Sequence, residues 1–229
     1  ILSGNGQESY EAHFTYYGFQ FVQMAGYPSV PSRDTLQCYF VHTGETPLHP
    51  LTLLIIFTLT PYFVLIALPE TGQVTTANDV INSVQHITRY ASLSNFVNIP
   101  TDCPQRERRG WMGDAQLSAE TTIHNWDMGQ GALFPSMMTC TQQYIFYAAY
   151  TKFLLDIQDA QSFANKNGQL PDCVPYYGHG SLPSDPAWGT AYTLIYNWFY
   201  RYFGDMRILQ QHYSTVKLVY PPALRTQTL

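Results

Sequence analysis

Charged side chains are concentrated in one short stretch of this sequence, residues 101–114. These fourteen residues hold three of the eight arginines and three of the sixteen acidic residues, although only 12% of the chain is charged. A solvated loop would explain these charges, but it would not explain Cys103 and Trp111, which lie among them. Because charges beside an aromatic ring are costly unless they pair or act on a ligand, this stretch is predicted to form the wall of an active site.

Glu107 is the candidate proton donor of this stretch. A group that protonates a leaving oxygen must hold its proton near neutral pH, which burial and neighbouring carboxylates favour. Glu107 lies between Asp102 and Asp114, with Trp111 four residues further on. The alternative is that Glu107 only pairs with a neighbouring arginine on the surface, and the spacing alone favours that alternative.

A second candidate group lies at residues 185–189, inside a loop rich in glycine and proline. Trp188 has a flat ring that suits the apolar face of a sugar, and Asp185 can accept hydrogen bonds from hydroxyl groups. The alternative is that Trp188 anchors the loop on the helices. The sequence leaves both interpretations open.

Other kinds of chemistry have little support in the sequence. The four cysteines form no CxxC pair, Cys103 has no evident histidine partner, and His179 and His212 lack metal-ligand spacing, so no metal or cofactor is expected. A net charge of −5 without a basic run argues against nucleic-acid binding. No signal peptide is visible. The compartment, whether secreted or cytoplasmic, and the oligomeric state stay open.

The elements that must position these residues change character along the chain. Residues 1–45 have β-type composition, with strands predicted at 14–24 and 36–42. From residue 75 onward apolar residues recur with helical period, with Thr76 or Asn78 capping the first helix, Asp114 capping the second and Gly204 ending the fourth. The stripes are Val80, Val84, Ile87 and Ala91; Ala115, Ala119, Ile123 and Trp126; Phe153, Leu154, Ile157 and Ala160; Ala191, Leu194, Ile195, Trp198, Phe199 and Tyr202; and Met206, Leu209, Tyr213 and Val216.

Residues 51–68 form an uncharged stretch of eighteen residues. Its length meets the minimum for a transmembrane helix. Pro61 in its middle, several threonines and the absence of flanking basic residues argue against a membrane span. A buried pair of strands is the alternative.

Residues 102–116 closely resemble the signature of the bacterial and fungal α-L-rhamnosidases of glycoside hydrolase family 78. Residues 14–19, 150–157, 168–172 and 185–189 resemble further segments of the family in the same order. The resemblance covers roughly 160 residues, and its main motif is long and specific.

The resemblance implies a mainly α fold: part of an (α/α)6 barrel, a six-hairpin toroid, preceded by the end of a β-sandwich domain. It implies hydrolysis of terminal α-L-rhamnose with inversion, on a rhamnose-containing glycoside or polysaccharide. Glu107 matches the general acid of the family. The residues that match its substrate-binding positions, or lie in its matching segments, are Asp102, Arg106, Trp111, Asp114, Asp185 and Trp188.

Inversion also requires a general base about 6.5–9.5 Å from the acid. The family supplies this base as a glutamate late in the barrel, whereas the last glutamate here is Glu120. The chain alone is therefore expected to be inactive and poorly stable. A non-catalytic carbohydrate-binding remnant and a membrane-tethered protein are the competing hypotheses.

The predicted domain plan has four parts. Residues 1–46 end a β-sandwich domain, 47–70 form an apolar insertion, 71–220 form the N-terminal part of the catalytic domain with an atypical insertion near 129–147, and 221–229 form a tail. Both insertions begin and end abruptly within sequence that resembles the family. They are therefore interpreted as translated intron or frameshifted sequence.

Overall fold

The computed structural model describes residues 6, 8, 10, 13, 15–27, 29–32, 35, 36, 38, 72–97, 99–126, 148–164, 168–204 and 206–220. Within these residues the chain forms five α-helices: α1 (Asp79–Ser94), α2 (Met112–Asn125), α3 (Ala148–Ala164), α4 (Pro186–Phe203) and α5 (Met206–Val219). Each helix predicted from the apolar period is present. The insertions predicted at 47–70 and near 129–147 and the tail at 221–229 lie outside the described residues, as does most of the strand predicted at 36–42.

The ends of α1 and α4 follow from local sequence. The Asn78 side chain accepts hydrogen bonds from the backbone N–H groups of Val80 and Ile81, so one of the two predicted caps of α1 is confirmed. Helix α4 begins with Pro186 and ends at Phe203, and the cap residue Gly204 that follows has a φ of 64°, the left-handed conformation that favours glycine. The predicted stop at Gly204 is therefore confirmed.

The start of α2 differs from the prediction. Trp111 occupies the N-cap position, in extended conformation and without a side-chain cap. Asp114 lies in the first turn of the helix, so its prediction as the cap was wrong. A carboxylate in the first turn still interacts favourably with the positive end of the helix dipole.

Helix α4 lies at the centre of the core and packs against α2, α3 and α5. The predicted stripes of α2 and α3 face this core, and the fully buried side chains include Ala119, Phe153 and Ile157. Tyr150 and Phe199 meet edge to face with ring centroids 5.8 Å apart. Burial of these large side chains stabilises the packing of α3 on α4. Helix α2 also packs against α4, and the N-termini of these two helices carry the candidate site residues.

The buried face of α5 was predicted incorrectly in part. The structure buries Ile208, His212 and Val216, whereas Met206 and Tyr213 are 50% and 47% exposed. His212 lies in the core because its Nδ1 is 2.9 Å from the Tyr192 hydroxyl, which satisfies one of its polar atoms. A pattern of apolar residues does not reveal a buried histidine.

Helix α1 docks through polar side chains. Gln85 donates a 2.7 Å hydrogen bond to Asn125, and the Arg89 guanidinium lies 4.5 Å from the ring centroid of Trp126. The predicted apolar stripe of α1 is exposed instead, and Val80 keeps 71% of its surface accessible. The helix is therefore confirmed, but its apolar face has no neighbour among the described residues.

The strand predicted at residues 14–24 is absent from its described part. Residues 15–24 make no strand pairing, and most of their side chains are exposed. A β-strand requires the hydrogen bonds of a neighbouring strand, and the described residues provide none. This prediction was wrong for residues 15–24.

None of the helices that the structure describes is long and apolar enough to cross a membrane. The uncharged stretch at 51–68 lies outside those residues.

Candidate active site

A short antiparallel pairing between two loops sets the position of Trp111. Trp111 forms an isolated β-bridge with Cys173, and the backbone of Val174 donates a 2.8 Å hydrogen bond to the Gly110 carbonyl. A Cβ atom on Gly110 would lie 1.9 Å from the Val174 carbonyl oxygen. Only glycine therefore permits this approach, which brings the charged stretch against the loop that precedes α4.

Asp102 organises the loop that contains the acid candidate. Its backbone N–H donates to the Arg109 carbonyl at 3.1 Å, and its Oδ1 accepts the Arg109 backbone N–H at 2.9 Å. The Cys103 thiol donates to Oδ2 of Asp102 at 2.9 Å and accepts the backbone N–H of Glu107 at 3.1 Å. These hydrogen bonds join the two ends of the loop at Asp102 and Arg109, and they hold the backbone of Glu107 beside Cys103.

Each oxygen of the Glu107 carboxyl has one partner. Oε2 accepts a 2.8 Å hydrogen bond from Nε1 of Trp111, and Oε1 accepts a 2.9 Å hydrogen bond from Nη2 of Arg106. The Glu107 side chain is 28% exposed, whereas that of Arg106 is 79% exposed. The surface pair that the sequence favoured is therefore present, and it coexists with a bond to an indole ring. The carboxyl is oriented and still accessible to a ligand.

Asp114 lies close enough to Asp102 and Glu107 to be affected by their charges. Its pKa is raised above the ordinary value, first by partial burial and then by these two carboxylates, while a bond to its own backbone acts in the opposite direction. Three acids of the charged stretch are therefore gathered in one region, as expected for a polar substrate site.

Trp188 packs directly on the N-terminal turn of α2. A Cβ atom on Gly113 would lie 2.6 Å from Cε2 of the Trp188 indole, so this contact requires glycine. Asp185 is the N-cap of α4, and its Oδ1 accepts the Ala187 backbone N–H at 2.8 Å. Both residues therefore make the contacts expected if their role is to anchor the loop on the helices. Trp188 is half-buried and Asp185 is exposed, so part of each side chain remains accessible.

An aromatic group extends from Trp111 toward solvent. The ring of His179 lies edge-on to Trp111 at 6.1 Å and stacks with Tyr177 at 6.0 Å. The Arg109 guanidinium lies 5.4 Å from the Tyr177 ring centroid. Such faces suit the flat, apolar side of a sugar ring or an aromatic group.

The third arginine of the charged stretch turns away from the acids. Arg108 adopts a positive φ of 54°, which is uncommon for a residue with a side chain. Its Nη1 donates a 2.6 Å hydrogen bond to the Tyr16 carbonyl, and its guanidinium lies 4.7 Å from the Tyr17 ring centroid. The pKa of Tyr17 is lowered by a hydrogen bond to Thr15 and then by Arg108. Arg108 therefore fastens residues 15–17 to the charged stretch.

An open groove of about 480 Å³ runs between α2 and α4. On this side of α2 the Tyr202 hydroxyl donates to Glu120 and lies 3.2 Å from Nε2 of His124. The groove is lined by Gln116, Leu117, Glu120, Thr121, His124, Leu194 and Trp198, which include none of the site residues predicted from the sequence.

The structure brings Asp102, Glu107, Trp111 and Asp114 together, and it places Arg106 at the exposed edge beside Glu107. Sequence reasoning found no role for Cys103 and did not single out Asp172, although both connect the parts of this site. No cluster of three or more histidine, cysteine or acidic side chains suitable for a metal ion occurs in the part of the chain that the structure describes.

Comparison with known proteins identifies two family matches. Residues 69–220 match the model of the bacterial α-L-rhamnosidase six-hairpin glycosidase domain, and residues 1–42 match that of the bacterial α-L-rhamnosidase concanavalin-like domain. An α-L-rhamnosidase of Formosa agariphila is 29% identical over 95% of this chain, and one of Streptomyces avermitilis is 27% identical over 91%. The chain spans only 19% and 16% of the length of these two relatives.

Solved structures show the same relationship. An α-L-rhamnosidase from Dictyoglumus thermophilum superposes with a TM-score of 0.55 at 42% identity, covering 67% of this chain and 15% of that protein. An α-L-rhamnosidase from Aspergillus terreus gives a TM-score of 0.54 at 28% identity, covering 67% and 16%. The predicted fold class, part of a six-hairpin (α/α)6 barrel, is therefore confirmed.

Proposed function

This chain belongs to the bacterial α-L-rhamnosidase family, and we propose that its protein hydrolyses terminal α-L-rhamnose from rhamnosides. The named relatives that match more than nine-tenths of the chain support this reaction. The observation that carries the proposal is the orientation of the Glu107 carboxyl by Nε1 of Trp111 at 2.8 Å, with only an exposed arginine on its other oxygen.

In the proposed reaction, Glu107 gives its proton to the glycosidic oxygen while the bond from that oxygen to the anomeric carbon breaks. A water molecule attacks the opposite face of the sugar and loses its proton to a general base, which inverts the anomeric configuration. We assign that base to none of the glutamates in this chain. Glu120, the last of them, accepts a hydrogen bond from Tyr202 in the groove between α2 and α4.

The rhamnose hydroxyl groups are assigned to the acids and the arginine around Glu107. Asp102 and Asp114 provide acceptors and Arg106 provides donors at the exposed edge. Trp111 offers its ring face, while Trp188 and Asp185 contribute from the N-terminus of α4. Substrate-binding roles for these side chains explain why three acids tolerate mutual proximity, since a polyhydroxylated ligand pairs with them.

The test measures hydrolysis of 4-nitrophenyl α-L-rhamnoside by the protein in the full length that its gene encodes. Replacing Glu107 with Gln should lower kcat by about 100- to 10,000-fold, the contribution of a positioned general acid. Glu120→Gln is the matched control, because Glu120 lies on the groove side of α2, and it should retain activity. Proton NMR of the first product should show the inverted anomer.

Three outcomes separate the hypotheses. Turnover that depends on Glu107 supports the proposal. Rhamnose binding without turnover in the full-length protein would support a carbohydrate-binding remnant instead. The 229-residue chain by itself should show no turnover, and measurable hydrolysis by that chain would mean that its own residues supply the base.

A further inference from the structure

Asp172 is a buried carboxylate outside the set of residues assigned to the sugar. Only 7% of its surface is exposed. Its Oδ2 accepts the backbone N–H of Ser181 at 2.7 Å, and its Oδ1 accepts the backbone N–H of Asp185 at 2.8 Å. Hydrogen bonds to an ionised carboxylate are shorter and stronger than neutral ones. One side chain thus fixes both ends of the segment that leads into α4.

The main chain of the same residue fixes the start of α2. The Asp172 carbonyl accepts the Met112 backbone N–H at 2.9 Å, and its own N–H donates to the Ser181 carbonyl at 3.1 Å. The next residue, Cys173, is the bridge partner of Trp111. Asp172 is therefore the point where the α2 start, the α4 start and the loop between them are joined.

Gly180 shows how tightly this junction is packed against the indole. A Cβ atom at Gly180 would lie 2.8 Å from Cβ of Asp172 and 3.1 Å from Cζ3 of Trp111. The loop therefore passes between Asp172 and Trp111 without room for a side chain at Gly180. The opposite edge of the Trp111 indole donates its N–H to Glu107.

We propose that Asp172 is a positioning residue, which holds the loop against Trp111 so that the indole N–H keeps the Glu107 carboxyl directed at the leaving oxygen. Its catalytic consequence rests on the proposed function, whereas its geometric consequence does not. Small displacements of an acid from its productive geometry are costly in rate. Loss of the Asp172 carboxylate should therefore lower kcat selectively for rhamnosides whose leaving group must be protonated, while any change in KM from a shifted sugar site should be common to all rhamnosides.

The kinetic test uses the full-length protein and two rhamnosides that differ in their need for a proton. With Asp172→Asn, an amide N–H₂ must face a backbone N–H, so one of the two anchoring bonds is lost. Hydrolysis of phenyl α-L-rhamnoside should then slow by about 10- to 100-fold. Hydrolysis of 2,4-dinitrophenyl α-L-rhamnoside should slow by less than about 3-fold, because its leaving group departs without protonation.

The controls separate positioning from folding. Asp159→Asn, at an exposed site on α3, should leave both rates unchanged. Gly180→Ala keeps the carboxylate but forces a methyl group between Asp172 and Trp111 at a φ of 78°, so it should displace the indole and reproduce the selective loss. An equal loss on both substrates in these variants would overturn the proposal.

The geometric test follows the indole N–H resonance of Trp111 by ¹H–¹⁵N NMR, assigned with Trp111→Phe. Asp172→Asn should shift this resonance toward the position of an indole exposed to water, whereas Asp159→Asn should not. An unchanged resonance would contradict the proposal. If the unaltered protein hydrolyses neither rhamnoside, the proposed function fails, and the resonance still decides the role of Asp172.

Discussion

The contact between Gly113 and Trp188 allows a sharp test of how α2 and α4 are joined. A Cβ atom at Gly113 would meet three indole atoms of Trp188 between 2.6 and 2.9 Å. Carbon atoms in comfortable contact are about 3.5–4.0 Å apart. Gly113→Ala therefore requires the indole or one helix N-terminus to move by about an ångström. Gly189 provides the matched control, since its added Cβ would meet only the Ser184 hydroxyl at 2.8 Å.

The two substitutions should differ in their effects on the free energy of unfolding. Alanine in place of a helical glycine is intrinsically favourable by about 0.5–1 kcal/mol, and both positions lie in the first turns of helices, where this gain is at most partial. Forced overpacking costs about 1–3 kcal/mol. At Gly189 the hydroxyl can rotate away, so Gly189→Ala should be neutral or slightly stabilising. Gly113→Ala should be less stable than Gly189→Ala by about 1–3 kcal/mol.

The measurement is urea unfolding of the full-length protein and its two variants at 25 °C, followed by circular dichroism. With a slope of about 2 kcal/mol per molar urea, a difference of about 2 kcal/mol separates the two midpoints by about 1 M. Tryptophan fluorescence of the folded state should also change for Gly113→Ala, because the indole of Trp188 is displaced. If Gly113→Ala unfolds at or above the midpoint of Gly189→Ala, the α2–α4 junction does not have the close packing described above.

Two further changes test the loop and the core. Cys103→Ala removes the acceptor of the Glu107 N–H and the donor to Asp102, so kcat/KM for an aryl rhamnoside should fall by about 10-fold. Cys103→Ser should recover part of this loss. Equal rates for the unaltered protein and both variants would exclude a role for the thiol. Burial lowers the pKa of His212, so the unfolded chain binds the proton more readily. Stability from this group is complete above about pH 6.5 and is lost as the pH falls below it, so His212→Gln should show a smaller drop in urea midpoint between pH 7.5 and 5.5. Equal drops in the two proteins would contradict this assignment.

Local sequence predicted those features that depend on neighbouring residues in the chain. The helices follow from apolar period. Asn78 caps the start of α1, and Gly204 caps the end of α4, each through contacts within one turn. Features set by distant residues were missed. Asp114 is not a cap because Val174 and Asp172 hold the backbone on either side of Trp111 and so set where α2 begins.

The buried face of α5 has a similar explanation. His212 is counted as polar in any hydrophobic pattern, yet it is buried, with the Tyr192 hydroxyl on α4 as the partner of its Nδ1. Burial raises the pKa of that tyrosine to about 12, which keeps it neutral as a partner. Pairing between two polar groups on different helices cannot be seen from the periodicity of either one.

Glu107 makes both of the contacts that its local sequence suggested, whereas its role as the acid stays a proposal. Its spacing from the arginines predicted an ion pair, and its spacing from Trp111 predicted an apolar neighbour, and each occupies one oxygen of the carboxyl. The two contacts differ in strength, since an exposed ion pair contributes only about 0–1 kcal/mol. In the proposed reaction, Arg106 therefore leaves for a substrate hydroxyl at little cost, while the hydrogen bond from Trp111 keeps the Glu107 carboxyl in place. The exposed ion pair is thus compatible with the proposed role of Glu107 as the acid.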